Sequence, residues 1–199
     1  MVACLLTLIN PQLRLGRTCM LSPDPFDPTA WPSVDVTEYE RPSTAEELKS
    51  YLLGDWEIKR VLSYKTGGFT GRFAGAAQFE RFEEHERRDL VTYAESGCFT
   101  PEVGSTLETS NRLLYEFTDK VEVFYDESPA DRSVGAVLSN ARWLYSLNPA
   151  TLLMTEHLWG ADLYRGELQI AAPNAFLLSW QVSGPQTDGS LTTVFSRKV

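Results

Sequence analysis

From Trp56 onward apolar and polar residues alternate with a period of two, and that pattern limits how this chain can fold more than any other feature. Trp56, Ile58, Arg60 and Leu62 fall on one side of the ladder, and Glu57, Lys59, Val61 and Ser63 on the other. Comparable runs follow at 71–82, 90–96, 111–118, 121–125, 142–147, 152–159, 162–170, 175–183 and 191–197. Turn residues separate them: Thr66-Gly67-Gly68, Asp119-Lys120, Asn148-Pro149 and Pro173-Asn174. A charged turn at 83–89 and loops at 97–105 and 126–133 complete the punctuation, and Gly75 inside the second run predicts a bend or bulge. Short strands at regular spacing, with no helix of crossover length between them, exclude a parallel sheet. A sheet this wide closes on itself or must protect its edges. The expected fold is therefore all-β, a closed up-and-down antiparallel barrel of about 8–10 strands.

The strands are preceded by one short helix. Ser43 is a good N-cap, Glu46 completes a capping box, and Gly54 supplies the stop. Ala45, Leu48 and Leu52 share one face, which predicts that the helix closes one end of the barrel beneath Trp56. Residues 1–42 then form an irregular N-terminal extension and residues 43–199 the barrel domain. Pro23, Pro25, Pro28, Pro32 and Pro42 give residues 22–43 a linker composition, in which Phe26 and Trp31 are expected to pack on a neighbouring surface. Met1 to Leu21 carries Arg14 and Arg17 behind an apolar run and has no acid. That order disfavours a secretory signal and leaves two readings, an organelle transit peptide or an arm lying on the barrel or a partner.

A net charge of −9 excludes a phosphate-tracking nucleic-acid surface. No apolar run is long enough for a membrane-spanning helix. Cys4, Cys19 and Cys98 form no CxxC pair, and His85 and His157 are the only imidazoles, so no metal site is expected. A chain of this length needs no disulfide scaffold, which points to an intracellular compartment, cytoplasm or organelle matrix. Ser139, Ser179 and Ser183 lack a nucleophile elbow, and no glycine-rich phosphate loop is present. Glu57 falls outside the barrel by alternation, which removes a Glu57–Glu95 acid–base pair. No catalytic residue and no cofactor are assigned.

Trp56 opens the first strand and Arg197 ends the last, so a guanidinium stacked on the indole would join the two where the cylinder shuts. With Gly54, this arrangement resembles the calycin superfamily of lipocalins and fatty-acid-binding proteins, which have Gly-x-Trp at the first strand and, in lipocalins, a covering arginine near the chain end. An ordered series of strings is similar to a lipocalin-like family of uncharacterised function: Gly54 to Arg60, Thr92 to Gly97, Asn111 to Tyr115, His157 with Asp162 and Tyr164, Trp180 to Pro185, and Phe195 to Arg197. The likeness spans Leu48 to Arg197. Gln186-Thr187 and Leu144-Tyr145 depart from the family's basic pair and Phe-His. The resemblance implies a fold and names no activity.

Two inward-facing polar residues organise the functional expectations. Arg60 on an apolar face requires a partner, either a ligand anion or an internal carboxylate, Glu95, Glu116 or Asp162. His157 falls on an inner face with Leu153, Thr155 and Trp159, and with Asp162 and Tyr164 it suggests a hydrogen-bonded group inside the lumen. Its readings are a satisfied core histidine, a polar ligand anchor, a proton-transfer site or a haem ligand, since Glu156-His157-Leu158 resembles haem-binding barrels of the nitrobindin type. Tyr93, Tyr115, Trp143, Tyr145, Trp180 and Phe195 are expected to line or fill the interior, around a cavity wider than side chains alone fill. The expected ligand-binding set is Arg60, Tyr93, Glu95, Arg112, Tyr115, His157, Asp162, Tyr164 and Trp180. The function that follows is noncatalytic binding of a small, largely apolar or amphipathic ligand with one polar end. The alternatives are an accessory subunit that meets a protein partner through the N-terminal arm, or a barrel using His157 for haem or catalysis.

Overall fold

The computed structural model of the protein describes residues 40–82, 89–126 and 141–197. The expectations for the N-terminal extension with Phe26 and Trp31, for the charged turn with His85, for Ser139 and for the loop after Asp126 lie outside the described residues, as do Cys4 and Cys19. One helix, α1 (Ala45–Leu52), is followed by ten strands. These are β1 (Gly54–Thr66), β2 (Gly71–Arg81), β3 (Leu90–Pro101), β4 (Leu107–Phe117) and β5 (Val121–Asp126), then β6 (Ala141–Leu147), β7 (His157–Trp159), β8 (Asp162–Ala172), β9 (Ala175–Ser183) and β10 (Asp188–Ser196).

Every pairing is antiparallel and between chain neighbours except one: β1 pairs with β10, Glu57 opposite Ser196 and Leu62 opposite Leu191. That single long-range ladder turns the meander into a nearly closed barrel. The two ends of the sheet, β6 and β7, meet along a seam. Toward the helix it is bonded, by the Leu147–Met154 bridge and by the Thr155 amide donating to the Ser146 carbonyl at 2.8 Å. Farther up, side chains hold it: the Trp143 and His157 rings are 5.9 Å apart, and the Arg142 guanidinium lies 5.5 Å from the Trp159 ring.

The helix end is shut. Trp56 is buried among Phe176, at 4.8 Å edge-on, Tyr51 at 5.7 Å and Phe195 at 6.4 Å, and Phe176 stacks on Phe195. Arg197 lies over the indole, 4.1 Å from its centroid, and donates to the carbonyls of Leu53, at 2.7 Å, and of Tyr51. The indole nitrogen donates to the Leu52 carbonyl at 2.7 Å. Strand and helix are thereby tied through the last carbonyls of α1, which have no partner within the helix itself. The Tyr51 hydroxyl bonds Ala172 and Ala175 carbonyls at 2.8 and 2.9 Å, fixing α1 to the β8–β9 hairpin.

Four local expectations are corrected. The helix cap is Thr44 with Glu47, one residue later than the Ser43–Glu46 pairing, because the Glu47 carboxylate receives both the Ser43 and Thr44 amides. Gly54 does not stop the helix, which is capped at Leu53; at φ +111° it opens β1 in a conformation that favours glycine. Gly75 marks no bulge, since β2 keeps its register on both sides, and Gly97 lies within β3 directly opposite it. A Cβ on Gly97 would lie 2.3 Å from the Ala74 carbonyl oxygen and 2.8 Å from the Phe73 ring, so the glycine pair lets two backbones and that ring approach closely. The run 152–159 is a strand only over His157–Trp159, because the Asn148 side chain and a left-handed Leu152, φ +58°, shape a turn before it.

Candidate functional site

Alternation aims the even-numbered residues of β1 inward, and Arg60, third in that row, is buried in mid-barrel. On β3, the other neighbour of β2, the odd residues face in, which brings Glu95 into the lumen beside Arg60. The two form a bidentate pair, Nη1 to Oε1 at 2.9 Å and Nη2 to Oε2 at 2.6 Å. The Tyr93 hydroxyl donates to Oε2, and Arg60 Nε donates to Thr193 Oγ1 at 2.8 Å. The guanidinium also lies 5.1 Å from the Phe73 ring centroid, the ring seated over Gly75 and Gly97. Burial alone disfavours the Arg60 charge, but the Glu95 carboxylate more than offsets it and raises the guanidinium's pKa. The internal carboxylate is thus the partner that Arg60 required, and the charge is neutralised within the protein.

A cavity of about 60 Å³ adjoins this pair. Arg60, Tyr93, Tyr115, Tyr145, Trp180 and Phe195 line it together with Leu144, His157 and Tyr164, with Leu113, Leu178, Leu191 and Thr193 completing the wall. At the ~10–15 Å³ that one enclosed water needs, it holds roughly four. That is room for a single ring or a short chain end, well short of the ~300 Å³ and more of pockets that enclose drug-sized ligands. The wide cavity expected for about ten strands is therefore largely filled by its own aromatic side chains: Tyr93 packs tilted on Phe79 at 4.8 Å and Tyr145 edge to face on Trp180 at 4.9 Å.

Burial keeps the lumen phenols neutral. It pushes Tyr145 up to about 12 and raises Tyr93 and Tyr115 well above the ordinary tyrosine value, with further increments from Glu95 and from Tyr145 respectively. His157 behaves in the opposite sense: desolvation lowers its pKa, favouring the neutral imidazole. Its ring sits within about 6 Å of Trp143, Trp159 and Tyr164, and its buried Nε2 has no hydrogen-bond partner.

The expected set therefore divides in space. Arg60, Tyr93, Tyr115, His157, Tyr164 and Trp180 converge on the cavity. Glu95 sits behind Arg60 as its counter-ion. Arg112 alternates to the outer face, opposite Ala94. Asp162 is buried apart from the cavity, where its Oδ1 accepts the Gln186 amide at 2.9 Å and orders the β9–β10 hairpin, so no His157–Asp162–Tyr164 hydrogen-bonded group forms. Trp143 is a correction: it lies on the outer face, 44% exposed, its Nε1 donating to Glu122 at 2.7 Å. The register shift between Val123 and Phe124 re-aims β6 before Tyr145, so that Leu144 reaches the cavity beside Tyr145, which lines it as expected. Thr193, Leu191 and Leu178 are cavity residues that the expected set lacks, although alternation from Phe195 back along β10 marks the first two. Cys98 is disulfide-bonded, which departs from the expectation of a chain without disulfides. Among the described residues no cluster of three His, Cys, Asp or Glu side chains is suited to a metal, and no helix is long and apolar enough to cross a membrane.

The chain is similar in structure to an S-type phycobiliprotein lyase from Guillardia theta, with a TM-score of 0.47 and 9% identity, covering 78% of this chain and 93% of that one. It is also similar to a de novo designed fluorescence-activating β-barrel, with a TM-score of 0.35 and 13% identity over 75% of this chain and 96% of the design. A redesigned barrel bound to the fluorogen DFHBI gives 0.34 and 13%, over 74% and 99%. No curated protein sequence matches. A sequence-family match covers residues 52–197, and by that match the protein belongs to the family of unknown function DUF6314.

Proposed function

We propose that this barrel, of the calycin type, binds a small molecule by taking one ring or short apolar end into its lumen, with His157 as the polar contact. The observation that supports the reading is a buried ring nitrogen with no partner on the wall of a cavity lined otherwise by apolar and phenolic side chains and by the already paired Arg60 and Thr193. Buried polar atoms are paired in the great majority of native structures, and an unpaired one beside a cavity is suited to a ligand group. Arg60 is less suited to an anionic ligand end than its position suggests, because Glu95 already occupies both guanidinium nitrogens that face it. Fluorine NMR titration with fluorobenzene and 4-fluorophenol tests the reading. Both bind at millimolar concentration, the phenol roughly fivefold tighter, the worth of one neutral hydrogen bond. His157→Phe removes that preference and leaves fluorobenzene binding. Absence of binding by either probe defeats the reading.

The small cavity volume favours a second reading, an accessory subunit whose barrel is a filled scaffold. In that case neither probe binds, and affinity capture with the full chain recovers a stoichiometric partner. Haem ligation by His157 is disfavoured by size, since the cavity takes one ring and not a macrocycle.

A further inference from the structure

The cavity is walled off along the barrel axis in both directions. Toward α1 the Trp56, Phe176 and Phe195 rings close it. In the other direction the inward rows continue with Leu62 on β1, Phe73 on β2, Phe99 on β3 and Val182 on β9, each no more than 3% exposed. These side chains stand on strands bonded to a neighbour on each side, so a ring passing either way must part side chains that intact ladders hold in place.

The side wall differs at one place. Beyond the bond from the Thr155 amide to the Ser146 carbonyl, no backbone hydrogen bond among the described residues joins 141–145 of β6 to β7. Two cavity residues stand on the two banks of that gap, Leu144 on β6 and His157 on β7. Each is only half-buried, whereas their neighbours Tyr145 and Tyr164 are buried. Side chains alone cross the gap. The Trp143 ring reaches His157 from the outer surface at 5.9 Å, and its Nε1 is tied to Glu122, which also accepts from Ser146 and pairs with Lys120. Arg142 lies 5.5 Å from the Trp159 ring. An exposed side chain changes rotamer within nanoseconds, whereas parting two paired strands breaks a run of buried backbone bonds.

We propose that the β6–β7 seam is the doorway of the lumen and Trp143 its leaf, so that small molecules enter and leave sideways past His157. The proposal rests on the lumen-binding reading above and supplies its route. A ligand that enters this way places its apolar ring in the lumen and keeps its polar end at His157, beside the doorway.

The test uses fluorine NMR on the full chain with fluorobenzene, a probe that needs no hydrogen bond. Titration gives its affinity, and line shapes with relaxation dispersion give its association and dissociation rates. Wild type is compared with Trp143→Ala, which removes the leaf without touching the cavity wall, and with Tyr64→Ala, which thins the far end of the β1 row. Trp143→Ala is expected to raise both rates roughly tenfold and to leave their ratio within about twofold, the mark of a lowered barrier with an unchanged bound state. Tyr64→Ala is expected to leave both rates within about twofold of wild type. Faster exchange in Tyr64→Ala, alone or equal to that in Trp143→Ala, overturns the doorway, as do unchanged rates in both. A Trp143→Ala effect confined to dissociation, with affinity lost in proportion, shows a structural role and overturns it too. Each of these outcomes leaves lumen binding standing, and absence of binding to wild type overturns both. Should Trp143→Ala not fold, Glu122→Ala releases the Trp143 Nε1 from outside the lumen and must raise both rates in the same way; unchanged rates there overturn the doorway.

Discussion

Arg60 on β1 and Glu95 on β3, the two strands that flank β2, meet inside the barrel through two hydrogen bonds, at 2.9 and 2.6 Å, with both side chains almost wholly removed from water. Removing one partner strands a charge. Glu95→Ala is expected to lower stability by about 3–5 kcal/mol. The double variant Arg60→Met/Glu95→Leu removes both charges and is expected to lie closer to wild type than either single change. Urea denaturation of wild type, Arg60→Met, Glu95→Leu and the double variant gives the coupling directly.

The latch between first and last strands is testable separately. Arg197→Ala forfeits the stacking on Trp56 and both carbonyl contacts at the end of α1, an expected loss of about 2–4 kcal/mol. Arg197→Lys keeps the charge but not the planar fork, and is expected to recover only part of it. Thermal unfolding ranks the three proteins, and equal midpoints for Arg197→Ala and wild type refute the latch.

Gly97 is expected to tolerate no side chain. Its Cβ would meet the Ala74 carbonyl oxygen and the Phe73 ring, so Gly97→Ala must spread β2 from β3 or displace the ring that underlies Arg60. A loss of about 1–3 kcal/mol is expected. The signature beyond stability is a chemical-shift change at the Arg60 side chain, read by NMR, which a strictly local clash leaves unmoved.

Stability is expected to depend on pH through His157. Burial lowers its folded pKa below the ordinary 6.5, so the unfolded chain binds more protons in the interval between the two values. Stability is therefore full above about pH 6.5 and declines as pH falls toward the folded pKa. His157→Phe flattens that part of the curve, and unfolding midpoints measured from pH 8 down to 5 show whether it does.

How much of this was legible beforehand follows from what each residue depends on. Arg60, Tyr93 and Trp180 were placed correctly because strand alternation has a fixed period, and nothing interrupts it between Trp56 and Arg60. Trp143 was misplaced because the bulge between Val123 and Phe124 reverses the phase of β6, and nothing in the residue types there announces it. The lumen volume was beyond reach for another reason. Whether ten strands leave a hole depends on rotamers and ring tilts, such as the 68° between Tyr145 and Trp180, that no one-dimensional pattern encodes.

Among the described strands, the one that completes β1 is the last in chain order. Until residues 188–196 emerge, β1 and β9 each present a bare row of amides and carbonyls, and the Trp56 indole lacks its guanidinium cover. A nascent or prematurely terminated chain is thus nine strands of sticky meander, prone to pair with its neighbours on a polysome. The arrival of β10 thus decides between a sealed vessel and a sheet with two bare margins.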